Sequence, residues 1–158
     1  MRIRVSHILS AFFLIFLGAA PATGIGDKEE HRCTPTAEDE MGPFYRPEAP
    51  VRSALGQGYI LKGRVLSAVD CRPLKMARIE VWQAAPGGHY DADHRATLFS
   101  ESDGGYRLET DLPPPYVSRP PHIHIRVSAK GFQTLVTQHY VQTGVTQGVF
   151  DLVLIPQR

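Results

Sequence analysis

Glycine and proline set the pitch of this chain. Fourteen glycines and 13 prolines among 158 residues divide it into short runs, and the runs are β-rich with no helical periodicity. Tyr59–Leu66 (YILKGRVL) alternates, the turn residues 69–76 (VDCRPLKM) follow, and Ala77–Gln83 (ARIEVWQ) puts Ile79 and Val81 on one face. Gly105–Thr110, His122–Ala129, Gln133–Tyr140 and Val149–Ile155 continue the series. Six or seven short strands separated by turn residues predict an all-β fold, an antiparallel sandwich or barrel. A hydrophobic fraction of 42% is ordinary for one globular domain of this length.

The chain divides into three parts. Residues 1–22 begin with Arg2 and Arg4, continue with the apolar run Ile8 to Leu17, and end in Gly18-Ala19-Ala20-Pro21-Ala22. These are the parts of a secretory signal peptide, and the run is short of the ~20 apolar residues that span a bilayer. Secretion, or export to a periplasm, is the expectation. Removing this segment takes two arginines with it and leaves 15 basic against 16 acidic residues. That balance offers no electrostatic argument for nucleic acid or for an anionic membrane, and no stable membrane association is expected after cleavage. Residues 23–57 are polar and punctuated by Pro35, Pro43, Pro47 and Pro50, and read as an arm lying over the domain formed by residues 58–158. In an oxidising compartment the two cysteines, Cys33 and Cys71, are expected to pair and tie the arm to the first hairpin. The loop-entropy estimate for such a bridge is roughly 4 kcal/mol.

Two places concentrate unusual side chains. One is the long polar stretch between the second and third predicted strands, APGGHYDADHRATLFSESDGG, with His89, Tyr90 and His94. A loop of that length in a compact domain is usually functional or disordered. The other is RPPHIHIRV, residues 119–127. Side chains at i and i+2 of a strand share a face, so His122 and His124 stand together while Ile123, Ile125 and Val127 face the core. Two imidazoles so placed can converge on one ion. A zinc site would be completed by His89, His94, Asp91 or Asp93. A copper site would call for a nearby Cys or Met, and neither the cysteines nor Met41 and Met76 are well placed. Tyr90 and Tyr116 offer phenolate oxygens, which suit a trivalent ion such as Fe³⁺.

The ordered blocks TPTAEDEMGPFYRPEAP, LKGRVLSAVDCRPLKMARIEVWQAAPGGHY, ESDGGYRLET, RPPHIHIRV and LVTQHYV resemble those of the intradiol ring-cleavage dioxygenases. That family of non-haem Fe(III) enzymes includes catechol, protocatechuate and hydroxyquinol dioxygenases. The resemblance covers nearly all of the chain after residue 22, and it implies an immunoglobulin- or transthyretin-like β-sandwich with long functional loops. It also implies iron ligands at Tyr90, Tyr116, His122 and His124, with Tyr116 and His124 axial and Tyr90 and His122 equatorial. Arg119 falls on the family's active-site arginine and Gln138 on its glutamine, and Tyr116 doubles as a catalytic base. The implied reaction opens a catechol-type substrate with O₂ to a cis,cis-muconate. The alternative is a sandwich module that binds a metal or ligand and has lost the activity. Some features depart from the pattern. Only Val117 and Ser118 separate Tyr116 from Arg119, a helical N-terminal segment is absent, and His139 stands where an apolar residue is common. These suit a secreted, short branch of the family with an open site. The choice of catechol and the oligomeric state stay open, a homodimer among the options. His89 and His94 are expected to be solvated.

Overall fold

The computed structural model describes residues 32–158; the segment read as a signal peptide lies outside them. Eight strands follow in order: β1 (Gly58–Ser67), β2 (Arg78–Gln83), β3 (Arg95–Phe99), β4 (Gly105–Asp111), β5 (His122–Ser128), β6 (Leu135–Tyr140), β7 (Gln147–Val149) and β8 (Leu152–Leu154). No helix interrupts them. One sheet has the order β3-β2-β5-β6; in the other, β4 pairs with β1, and β7 and β8 pair with β1 in turn. This is the expected β-sandwich.

Three features differ from the sequence expectation. The pairings of β1 with β7 and β8 are parallel, so the sandwich is antiparallel only in its larger part. The predicted last strand breaks in two because Phe150 and Asp151 are engaged sideways: the Tyr106 hydroxyl donates to the Phe150 carbonyl, and the Arg64 amide donates to Asp151. At Gly63 the Phe150 carbonyl comes so close to β1 that any Cβ would overlap it. The long polar stretch 85–105 is also not all loop, since Arg95–Phe99 within it is β3 and pairs with β2.

The core lies between the sheets. Leu61 and Val65 from β1, Ile79 and Val81 from β2, Leu108 from β4 and Leu152 and Leu154 from β8 meet Ile123, Ile125 and Val127 of β5. The three β5 residues have no exposed surface, as the alternation requires. Each such side chain removed from water stabilises the fold by about 1.5–3 kcal/mol. Because the apolar side of β5 faces inward, its histidines face outward from the sandwich, onto the side the arm covers. Cys33 and Cys71 are joined in a disulfide. From there the arm runs along β6, with the Asp39 amide donating to the Val136 carbonyl, and then crosses to β3, where Val51 bridges Thr97.

Candidate metal centre

Register places the first half of the site. His124 pairs with Trp82 of β2 on one side and with Gln138 of β6 on the other, while His122 pairs with Tyr140. Directly paired residues share a face, so Trp82, His124 and Gln138 form a row beneath the arm. Trp82 stacks on the His124 ring at 5.0 Å with the planes 5° apart. The arm passes over His124 at Gly42, whose φ of +67° favours glycine, and a Cβ there would come within 3.2 Å of His124 Cε1. Both histidines are buried.

Turns and a strap place the second half. Residues 85–88 close a turn in which the Ala85 amide donates to the His89 carbonyl, delivering Tyr90 over the sheet. The Tyr90 ring stacks on Phe44 of the arm at 4.3 Å. Pro113, Pro114 and Pro115 carry the chain from β4 to Tyr116, which opens a two-residue turn closed by reciprocal backbone hydrogen bonds with Arg119. Val117 at the turn is 88% exposed and holds a φ of +54°, a strained conformation for a β-branched residue. The Tyr116 ring meets Tyr90 edge-on at 5.2 Å.

Three donor atoms converge. The Tyr90 hydroxyl lies 3.4 Å from His122 Nε2 and 3.1 Å from His124 Nε2, and the two Nε2 atoms are 3.2 Å apart. His122 Nδ1 donates to the Pro120 carbonyl at 2.7 Å, so in the neutral ring Nε2 is the nitrogen that carries the lone pair. Burial, together with the neighbouring His122 and Arg119, lowers the His124 pKa to about 4. At neutral pH the ring is therefore uncharged, and its Nδ1 has no hydrogen-bond partner. Two imidazole nitrogens and a phenol oxygen thus crowd one point, and with both nitrogens unprotonated a cation would relieve that crowding. Ligand atoms bonded at about 2.1 Å to a common ion sit roughly 3–3.4 Å from one another, which is the spacing found here. Burial and the nearby Tyr116 raise the Tyr90 pKa, so an ionised phenolate here also requires a cation. The residues present therefore fit a cation, and the phenol oxygens of Tyr90 and Tyr116 suit a trivalent one. Tyr116 reaches the cluster through its ring, without a hydrogen bond to either imidazole among the described residues.

The zinc alternative loses its third ligand. Among the described residues no three His, Cys, Asp or Glu side chains form a metal-holding group. His94 is not solvated but buried, with Nδ1 2.8 Å from Asp91 and Nε2 3.1 Å from Asp111. Burial opposes its charging, yet the hydrogen bonds to Asp111 and Asp91 prevail and its pKa is raised. It pins the Tyr90 loop to the end of β4. His89 is exposed, as expected.

Arg119 and Gln138 meet: the guanidinium Nη2 donates to Gln138 Oε1 at 2.8 Å and to the Tyr140 hydroxyl at 2.9 Å. Gln138 in turn donates to the Glu40 carbonyl, and Tyr140 to Asp39. Burial works against the Asp39 charge, but the Glu40 amide and the Tyr140 hydroxyl outweigh it and lower the Asp39 pKa.

No protein-family model matches the chain. It is 32% identical over 150 residues to a catechol 1,2-dioxygenase from Candida albicans, an alignment covering 71% of this chain and 49% of that one. It is also 32% identical over 139 residues to a hydroxyquinol 1,2-dioxygenase from Rhodococcus opacus, covering 67% and 46%. The solved dioxygenase domain of a dioxygenase–carbohydrate-binding protein fusion from Streptomyces sp. SirexAA-E matches at 28% identity and a TM-score of 0.71, over 78% of this chain and all of that domain. The chain belongs to the intradiol ring-cleavage dioxygenase family. It spans about half the length of the curated relatives it matches.

Within that family frame, the structure brings Tyr90, Tyr116, His122, His124, Arg119 and Gln138 to one face. Sequence reasoning missed Phe44, Trp82, Asp39 and Tyr140. Tyr140 was the most findable, because it stands two residues beyond Gln138 on the same strand and so on the same face. His139, between them, turns inward, 2.7 Å from the Tyr59 hydroxyl.

Proposed function

We propose that the chain is a non-haem Fe(III) intradiol dioxygenase that cleaves catechol-type rings with O₂ to cis,cis-muconate-type products. The observation that carries this is the convergence of the Tyr90 hydroxyl with the Nε2 atoms of His122 and His124, beside Tyr116 and next to Arg119. Tyr90, Tyr116, His122 and His124 would hold the ion, with two phenolates offsetting much of its charge. Bound there, iron(III) supplies Lewis acidity that activates a catecholate toward O₂.

The protein's own residues do the rest. The Pro120 carbonyl on His122 and the Trp82 ring on His124 fix both imidazoles in their receptive orientation. Tyr116 opens a turn outside the sheet, beside the exposed Val117, which suits a group that would take a catechol proton at its phenolate oxygen. Arg119, fastened by Gln138 and Tyr140, is the fixed cation for negative charge developing on the substrate oxygens. Phe44 and the arm keep water from Tyr90. Residues 1–22 support export of the enzyme to a periplasm or the cell exterior, where phenols of plant origin would be its substrates.

The test is oxygen uptake by the iron-loaded protein with catechol, protocatechuate and hydroxyquinol. Uptake stoichiometric with ring opening, abolished by His124→Ala, is expected. An iron-loaded protein that consumes no oxygen with any of the three would leave a binding module without activity.

A further inference from the structure

Charge at the mouth of the site bears on which catechols enter it. We infer that the arm carboxylates Asp39 and Glu40 make the site select neutral and cationic catechols over carboxylate-bearing ones, an inference that rests on the dioxygenase reading above.

A substrate carboxylate needs an unengaged cation. Two cations act on the Tyr90 phenol, Arg119 and Arg95. Arg95 is buried, and its guanidinium donates to the Asp91 carbonyl at 2.8 Å and the Phe44 carbonyl at 2.5 Å. It holds the arm to the Tyr90 loop and is out of a substrate's reach. The Arg119 side chain is 31% exposed and stands at the mouth, but it is already occupied. Besides Gln138 and Tyr140, it has Asp39 Oδ1 at 3.9 Å and Glu40 Oε2 at 3.8 Å.

The Asp39 carboxylate is built in. Tyr140 donates to its Oδ2 at 2.9 Å and the Glu40 amide to its Oδ1 at 2.7 Å. Its own amide ties the arm to β6 through the Val136 carbonyl at 2.9 Å. Glu40 is different, with a side chain 81% exposed and no comparable hydrogen bonds, so its charge is more heavily screened. One positive group against two negative ones leaves this rim net anionic. An incoming carboxylate meets that field with neither Arg95 nor Arg119 free to pair with it, while an ammonium is attracted by it. Each of the two carboxylates is worth a few-fold in affinity, and the pair about tenfold.

The measurement is an anaerobic titration of the iron-loaded protein, read from the shift of its visible band, with three catechols of like size. These are 3,4-dihydroxyphenylacetate (anion), 4-ethylcatechol (neutral) and 2-(3,4-dihydroxyphenyl)ethylamine (cation). The amine and the neutral catechol are expected to bind about tenfold more tightly than the acid at low salt, with the gap closing at high salt. Glu40→Gln should raise affinity for the acid two- to threefold and leave 4-ethylcatechol unchanged. The further change Asp39→Asn, which keeps an acceptor for Tyr140, should close most of the remaining gap. Equal binding of all three, or acid binding untouched by both substitutions, overturns the inference while the dioxygenase reading stands. A band that no catechol perturbs overturns that reading and this inference with it.

Discussion

The two halves of the candidate centre are built on opposite principles. His122 and His124 come from one strand in the middle of a four-stranded sheet, with their backbone paired on both sides and their rings braced by the Pro120 carbonyl and the Trp82 face. Tyr90 and Tyr116 come from a loop and a proline strap, held by the arm and by each other. The histidine half is set by register, which cannot slip by one residue without turning the core face outward. The tyrosine half is set by turns that can yield. The proposed centre would draw on both kinds of support, a fixed pair of imidazoles and two phenols on segments that can adjust.

Substitutions at each half should separate them. The largest effect is expected for His124→Ala, which removes a candidate ligand fixed in the sheet. Iron retention after gel filtration should fall by more than 100-fold, and Trp82→Leu should give a milder loss of about tenfold. Equal retention by wild type and His124→Ala would remove the sheet half from the centre. Next comes Tyr90→Phe. Binding should weaken by about 10–100-fold, and the visible band that survives should be that of one tyrosinate.

Tyr140→Phe is expected to act through Arg119. It keeps the strand and the ring but removes the hydroxyl that Arg119 contacts at 2.9 Å. Iron content should stay at the wild-type level while kcat falls about tenfold, since the hydroxyl that accepts from Arg119 and donates to Asp39 is lost. Tyr140→His, which can restore an acceptor, should recover part of it. A fall in iron content instead would mean that Tyr140 supports the ligands and not the arginine.

The smallest effect concerns the pin beneath Tyr90. His94 has a raised pKa, so its contribution is complete below the unfolded value of 6.5 and fades as pH rises through the folded one. Asp91 and Asp111 have lowered values, so theirs is complete above about 3.8 and fades as pH falls below it. The clamp is therefore strongest between about pH 4 and 6.5. Urea unfolding of the iron-free protein at pH 6 and pH 8.5 should show wild type losing stability relative to His94→Gln as pH rises. A difference independent of pH would mean that the pin works without its charge.

The two halves also differ in how plainly the sequence announces them. The β5 alternation could be read directly, since every second residue is a fully buried Ile or Val. β3 could not: Arg95 and Thr97 look like solvent-facing positions, yet both are buried because the arm supplies their partners, the carbonyls of Phe44 and Ala49. His94 is hidden in the same way, since Asp111 approaches it from a strand that only the fold brings near. Tyr90 and Tyr116 could be picked out as donors through family resemblance, but the arm residues that hold them, Phe44 above all, take their meaning from the folded chain. Polar residues buried by long-range partners escape a periodicity reading, and here they cluster around the tyrosines.

The most direct measurement is the resonance Raman spectrum of the iron-loaded protein, excited in its visible band. Four ligands from both halves predict two distinct sets of tyrosinate modes. Tyr90→Phe should remove one set and Tyr116→Phe the other, while Tyr45→Phe changes neither. A colourless iron-loaded protein, or modes indifferent to both substitutions, would contradict the proposed centre.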